Sequence, residues 1–245
     1  MAYYQIKVTK DSIISISKGN TKIGKKVFTL NLLPGSKPIS TKEKGALTDI
    51  KGTCEGCCDG CEKVCYACND ARRHHNSVIP ANGKNTLIWR EYPNLYFNQI
   101  KNYVTNPKNK VDIFRYHSSG EIETYDYLLR MVRLAKETPN VKYYFYTKRF
   151  AFIEQYLKEY EKFPENLVCN ISVWHKNHIG YKLDGLNQFI YDDGDEPELA
   201  NIPHCPAVSK PTKPGDKGKK TGVTCSQCGL CYRKNEGHKI AVYNH

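Results

Sequence analysis

The sequence predicts an α/β chain built on a parallel sheet. Residues 111–174 alternate apolar or aromatic runs of strand length with stretches of helical periodicity, in the order strand, helix, strand, helix, strand. The loops between them are short, which implies parallel pairing with right-handed crossovers. The 245 residues are 40% hydrophobic with a mean hydropathy of −0.62, enough for a sizeable core. No run nears the roughly 18 apolar residues of a spanning helix, so a membrane protein is not expected.

The elements follow in order. Residues 4–8, 13–17 and 27–32 carry β-branched or alternating patterns separated by Lys, Gly and Asn, and define a β-rich segment over 1–50. A Gly/Pro/Lys stretch then leads into a dense cysteine cluster. From residue 71 the chain reads as partly helical, with Pro80 and Pro93 as breaks and a short helix over 95–104. Residues 111–116 (VDIFRY) read as a buried strand. A helix over 123–136 presents Leu128, Val132 and Ala135 on one face. Residues 141–146 (VKYYFY) are the next strand, and 150–160 a helix with Phe152, Ile153, Tyr156 and Leu157 inward. Residues 167–174 (LVCNISVW) close an α/β core over 51–191, with Cys169 as a small core residue. Residues 192–245 hold an acidic loop, a Lys/Pro/Gly-rich extended stretch, a second cysteine cluster and a last strand over 240–243.

In parallel α/β sheets, ligands bind beyond the carboxyl ends of the strands. Here those ends are residues 117–121, 147–149 and 175–177, all polar; ordinary loop polarity is the competing account. Strand alternation places Arg115 and His117 on one face. Lys148 and Arg149 suit an anionic substrate or a charged helix start. His74 and His75, after Arg72 and Arg73, suit a basic patch or hydrogen bonds to metal-bound sulfur.

Eleven cysteines raise the central question. Residues 1–17 lack the charged-then-apolar pattern of a secretory leader, so a cytoplasmic location is expected. Disulfides are rare there, and dense cysteine points to metal or redox chemistry. Cys225, Cys228 and Cys231 are evenly spaced, with Gly229 easing the turn. Cys205, followed by Pro206, is the natural fourth thiolate. Structural zinc usually shows two separated C-x-x-C knuckles, so this spacing favours a 4Fe–4S cluster over zinc or uncomplexed thiols.

The first cluster holds Cys54, Cys57, Cys58, Cys61, Cys65 and Cys68. The C-x3-C-x2-C spacing of Cys61, Cys65 and Cys68 resembles the radical S-adenosylmethionine motif. That resemblance implies three thiolates on a 4Fe–4S cluster, with the fourth iron left for S-adenosylmethionine. It also implies a cofactor-binding role for Ser119, Gly120 and Glu121, which stand where such proteins carry Gly-Gly-Glu; Ser119 replaces a glycine. The competing reading of Glu121 is a first-turn carboxylate facing a helix dipole.

Taken together, the motifs around Cys54, Cys61 to Ala67, Phe114 to Glu121, Phe145 to Arg149, His204 to Pro206 and Cys225 to Cys231 resemble the phage gene-product-eighty-eight family, over residues 50–235. That family's pattern maps onto Cys54, Cys61 and Cys65 and leaves Cys68 as an extra. Two triplets therefore compete, Cys54/Cys61/Cys65 and Cys61/Cys65/Cys68. All four could instead close the cluster and remove the open iron. Cys57 and Cys58 are adjacent and cannot easily face one centre.

The resemblance implies a partial (β/α) barrel-like sheet similar to the radical S-adenosylmethionine core. The expected function is that of an iron–sulfur protein with two 4Fe–4S clusters and an electron donor as partner. If it is an enzyme, radical-type redox chemistry follows. The alternatives are a non-enzymatic iron–sulfur redox or sensing protein and a zinc-stabilised basic module that binds nucleic acid. The formal charge of +12 supports a nucleic-acid partner, but no stacking motif does, and thiolate ligation of two clusters would lower it to about +9.

Overall fold

The computed structural model describes residues 3–19, 23–56, 59–174, 177, 179–214 and 216–243. Its centre is a seven-stranded sheet, formed by β1 (Ile16–Lys18), β2 (Val27–Leu30), β5 (Ile113–Tyr116), β6 (Lys142–Thr147), β7 (Leu167–Val173), β8 (Asn187–Asp192) and β9 (Lys239–Tyr243). β1 pairs antiparallel with β2, and every later pair is parallel. A separate hairpin joins β3 (Pro38–Thr41) to β4 (Gly45–Lys51). The fold is thus mixed α/β with a mostly parallel sheet. No helix among the described residues is long and apolar enough to cross a membrane.

The parallel strands stand in chain order, each beside its predecessor. Such winding has no switch point, so successive right-handed crossovers fall on one face. The helices α3 (His75–Glu91), α4 (Pro93–Thr105), α5 (Tyr125–Glu137) and α6 (Phe150–Tyr160) do so. They pack Trp89, Tyr96, Phe97, Leu128, Met131, Ile153 and Tyr156 onto Phe114, Tyr116, Tyr143, Phe145, Cys169 and Ile171 of the sheet. Cys169 is a core residue, as expected. Thr124 caps α5, accepting from Tyr127 N at 3.1 Å, a contact worth about 1 kcal/mol.

A parallel sheet needs cover on both faces. The other face bears Val27, Ile113, Tyr144, Tyr146 and Val168, and Ile23, Cys225, Cys231 and Tyr232 pack upon it. The cover therefore comes from the long β8–β9 crossover, which carries the C-terminal cysteines.

Several sequence expectations are revised. Residues 4–8 form no strand, although Tyr4 N donates to Leu47 O at 2.8 Å. Pro80 lies within α3 instead of breaking it: it forfeits one intrahelical bond in the second turn. Pro93 opens α4 at its first turn, where proline is tolerated. β8 and the β3–β4 hairpin were not anticipated. His117 has φ of 57°, which breaks the strand alternation and turns its ring to the helix face, where Nε2 meets Tyr127 Oη at 2.8 Å. Arg115 and His117 therefore do not share a face.

Candidate metal-thiolate site

The carboxyl ends of β2, β5 and β6 form a braced mouth. Leu32 N donates to Ser119 O and Ser119 Oγ to Leu32 O, at 2.9 and 3.0 Å. Gly120 has φ of 89°, and a Cβ there would lie 2.7 Å from Leu32 Cβ, so both backbone and space call for glycine. The Glu121 carboxylate accepts from Ile122 N, Thr147 Oγ1 and Lys148 N, each at 2.8 Å. It therefore ties the loop after β5 to the end of β6. Burial raises its pKa, while those donors and the Lys148 charge oppose the rise. Ser119, Gly120 and Glu121 are thus brought together at the mouth, engaged with their own chain.

The first cysteine loop is fastened to this mouth. Thr53 Oγ1 donates to Leu33 O and accepts from Glu121 N at 2.9 Å, and Cys54 N donates to Gly35 O at 3.0 Å. The Arg149 guanidinium holds Glu55 O and Glu123 O, and Lys148 Nζ donates to Ser172 Oγ at 2.9 Å. Arg149 thus ties the first cysteine loop to the mouth, while Lys148 reaches across to β7. Cys61 lies in α1 (Asp59–Val64), and Cys65 stands at the N-cap of α2 (Tyr66–Arg73). Cys57 and Cys58 lie outside the described residues, as do His175 and Lys176 of the predicted third loop.

Cys65 and Cys68 share a side-chain hydrogen bond, and Cys54 lies within electrostatic reach of Cys68. The Cys68 thiol and the backbone N–H groups of Cys68 and Ala67 pull Cys65 down to about 6, so it is the thiolate of the pair. Cys68, 2% exposed among Leu33, Leu47 and Ile79, is correspondingly raised. His75 is engaged by Tyr4 Oη and Lys44 Nζ, both at 3.0 Å.

The C-terminal group forms on the other face. Thr224 precedes α7 (Cys225–Cys228), and Thr224 N donates to Gln227 Oε1 at 2.9 Å. Gly229, with φ of 72°, accepts the left-handed conformation that ends α7 and turns the chain into the 3-10 turn Leu230–Tyr232. Cys225 and Cys231 pack with Tyr232 on this face, while Cys205 packs against Val208 and Tyr243 and acts on Cys231 only at electrostatic range. Cys205 N donates to Ala241 O of β9 at 2.8 Å, which seats this thiol beside the sheet. Next to it, His204 Nε2 meets Asp192 Oδ2 at 2.7 Å and stacks on Tyr243. Burial raises Cys231 to about 12, opposed by its hydrogen bond with Tyr146.

Three asparagines fasten this segment, and sequence reasoning did not single them out. Asn170 Nδ2 donates to Cys231 O at 2.9 Å and Phe145 O at 3.1 Å. Asn187 Nδ2 donates to Lys234 O at 2.7 Å, and Asn235 Oδ1 accepts from Cys169 N at 2.9 Å. A buried asparagine inside an apolar strand, as in LVCNISVW, was the available signal, because a strand interior rejects such a group unless it is bonded.

Among the described residues, no three His, Cys, Asp or Glu side chains converge on a single metal ion, and no disulfide joins the nine described cysteines. One cysteine-rich group thus lies at the mouth and the other on the sheet face opposite the helices, without a single-ion site among the described residues.

Comparisons with known proteins complete the description. The family model described as Gene product 88 matches residues 14–234, which extends the similarity across β1 and β2. No curated protein and no solved structure matches the chain.

Proposed function

From the premise that this chain belongs to the Gene product 88 family, a phage family, we propose that it is an iron–sulfur redox protein with two thiolate-held 4Fe–4S clusters. Cys205, Cys225, Cys228 and Cys231 would hold one. Cys61 and Cys65, with Cys54 and Cys68, would hold the other. The observation that carries the reading is the donor set of the C-terminal group: partly buried Cys225 and Cys231 pack together on one sheet face, with Cys228 in the same turn and Cys205 within electrostatic range of Cys231. A set made only of thiols is soft and selects iron–sulfur, zinc or Cu(I), and the three evenly spaced cysteines favour the first.

When bound, such clusters supply one-electron transfer at low potential. The chain's own residues do the rest. Gly229 turns the chain between Cys228 and Cys231, and Asn170 and Asn187 hold the segment on the sheet. At the mouth, the Glu121 backbone on Thr53 and the Arg149 side chain on Glu55 O keep the first cysteine loop against the strand ends.

A finer form of the reading adds S-adenosylmethionine at the first group, beside Ser119–Glu121. It is favoured by the position of that loop at the carboxyl ends of the first two parallel strands, next to a cysteine loop that Tyr66 joins by donating to Ser118 O. Electron paramagnetic resonance of the reduced, anaerobically purified protein tests both forms. Cluster signals are expected, and a change on adding S-adenosylmethionine supports the finer one. Signals indifferent to it leave a redox or sensing protein. No iron signal with bound zinc overturns the iron–sulfur reading.

A further inference from the structure

We propose that Arg115 and Tyr144 form a donor pair that tunes the C-terminal cluster and links it to the first cysteine loop. The inference rests on the iron–sulfur reading above and concerns this chain's own side chains.

Arg115 and Tyr144 are register partners on β5 and β6, on the face that the cysteine segment covers. The guanidinium lies 4.8 Å from the centroid of Tyr146 and 5.9 Å from that of Tyr144. Two polar atoms at this spot lack any hydrogen-bond partner among the described residues although both are buried: Arg115 Nε and Tyr144 Oη. Orphaned buried donors are rare, because each costs about 1–3 kcal/mol. Two side by side, on neighbouring strands and facing one cover, point to a shared acceptor that belongs there. Sulfur packs on the same spot: Cys225 and Cys231 lie with Tyr144 in one cluster. Cys225 acts electrostatically on both side chains, Cys231 acts on Tyr144, and Arg115 acts in turn on Cys231. Tyr146, next along β6, already has a hydrogen bond with Cys231.

Arg115 also faces the other way. It shares a side-chain hydrogen bond with Tyr66, which follows Cys65 and donates to Ser118 O. One cation thus stands between the two cysteine groups. A positive charge and N–H or O–H donors near cluster sulfur stabilise the reduced, more negative state. The pair therefore holds the C-terminal cluster at a higher potential than its thiolates alone would set.

The test is a redox titration of the full, anaerobically purified chain, read by electron paramagnetic resonance, for the parent, Tyr144→Phe and Arg115→Lys. Tyr144→Phe removes one hydroxyl and keeps the ring, so folding is preserved. Arg115→Lys keeps the charge but loses Nε. In each variant the reduced-to-oxidised ratio of the C-terminal cluster, at a potential fixed near the parent midpoint, is expected to fall up to tenfold, a shift of about 59 mV for a one-electron couple. Iron and sulfide content should match the parent. Unshifted midpoints in both variants, with parent-level iron and sulfide, overturn the donor pair while the cluster reading stands. A parent chain without iron and sulfide overturns both.

Discussion

Replacing Asn170 with alanine should unfasten the C-terminal cysteine segment from the sheet. The side chain is 1% exposed, and its Nδ2 serves two carbonyls, Phe145 O and Cys231 O. Each lost bond to a buried carbonyl costs about 1 kcal/mol or somewhat more, and the small cavity left behind adds to it. The total is about 3 kcal/mol, which for a chain of this size lowers Tm by roughly 6–12 °C. Urea unfolding followed by intrinsic fluorescence measures the global term. Alkylation of the metal-free chain, read by mass spectrometry, measures the local one: Cys225, Cys228 and Cys231 should become more reactive while Cys65 is unchanged. Asn187→Ala acts on the same segment, so the double variant should lose less than the sum of the two singles. A loss under about 0.5 kcal/mol with unchanged alkylation would refute the idea that Asn170 holds this segment.

Two further perturbations follow from buried groups at the mouth. His117 is held down to about 3 by burial and by the Arg115 charge, against an ordinary value of 6.5. The unfolded chain therefore takes up a proton below about pH 6.5 that the folded chain refuses until about pH 3. This residue's stabilising effect is lost as pH falls through that window, at about 1.4 kcal/mol per unit. His117→Asn, which tolerates the left-handed backbone, should lower the stability-versus-pH slope by one proton; an unchanged slope would mean that the histidine charges within the fold. Glu121→Gln puts an amide where three donors converge, and should cost about 2 kcal/mol in urea unfolding, whereas an unaltered midpoint would show that the carboxylate is not the tie between β5 and β6.

The legible parts of the fold were those where one local pattern dominates. VDIFRY, VKYYFY and LVCNISVW became β5, β6 and β7 because parallel strands buried on both faces read as near-continuous apolar runs, and the 150–160 helix coincides with α6 because one of its faces meets that sheet. β8 lacks that signature: four of its six residues are half-buried, so neither face is marked by hydrophobicity. The β3–β4 hairpin lay within and just after a Lys/Pro/Gly-rich stretch whose composition resembles a linker. His117 was misplaced because a positive φ at a non-glycine residue leaves no trace in an alternation pattern. At the candidate site, the spacing of Cys225, Cys228 and Cys231 is a local pattern open to reading, and the short α7 turn accounts for it. The pairing of Arg115 with Tyr144 was not legible, since it depends on strand register. Nor was it evident that the β8–β9 crossover is the cover for the helix-free face.

The central claim is that both cysteine groups hold iron–sulfur clusters. Iron, zinc and acid-labile sulfide measured per chain, in anaerobically purified protein and in the Cys225→Ser/Cys228→Ser variant, test it most directly. About eight irons and eight sulfides are expected in the parent, falling to about half in the variant. Stoichiometric zinc without sulfide, or iron content indifferent to the loss of Cys225 and Cys228, would contradict it.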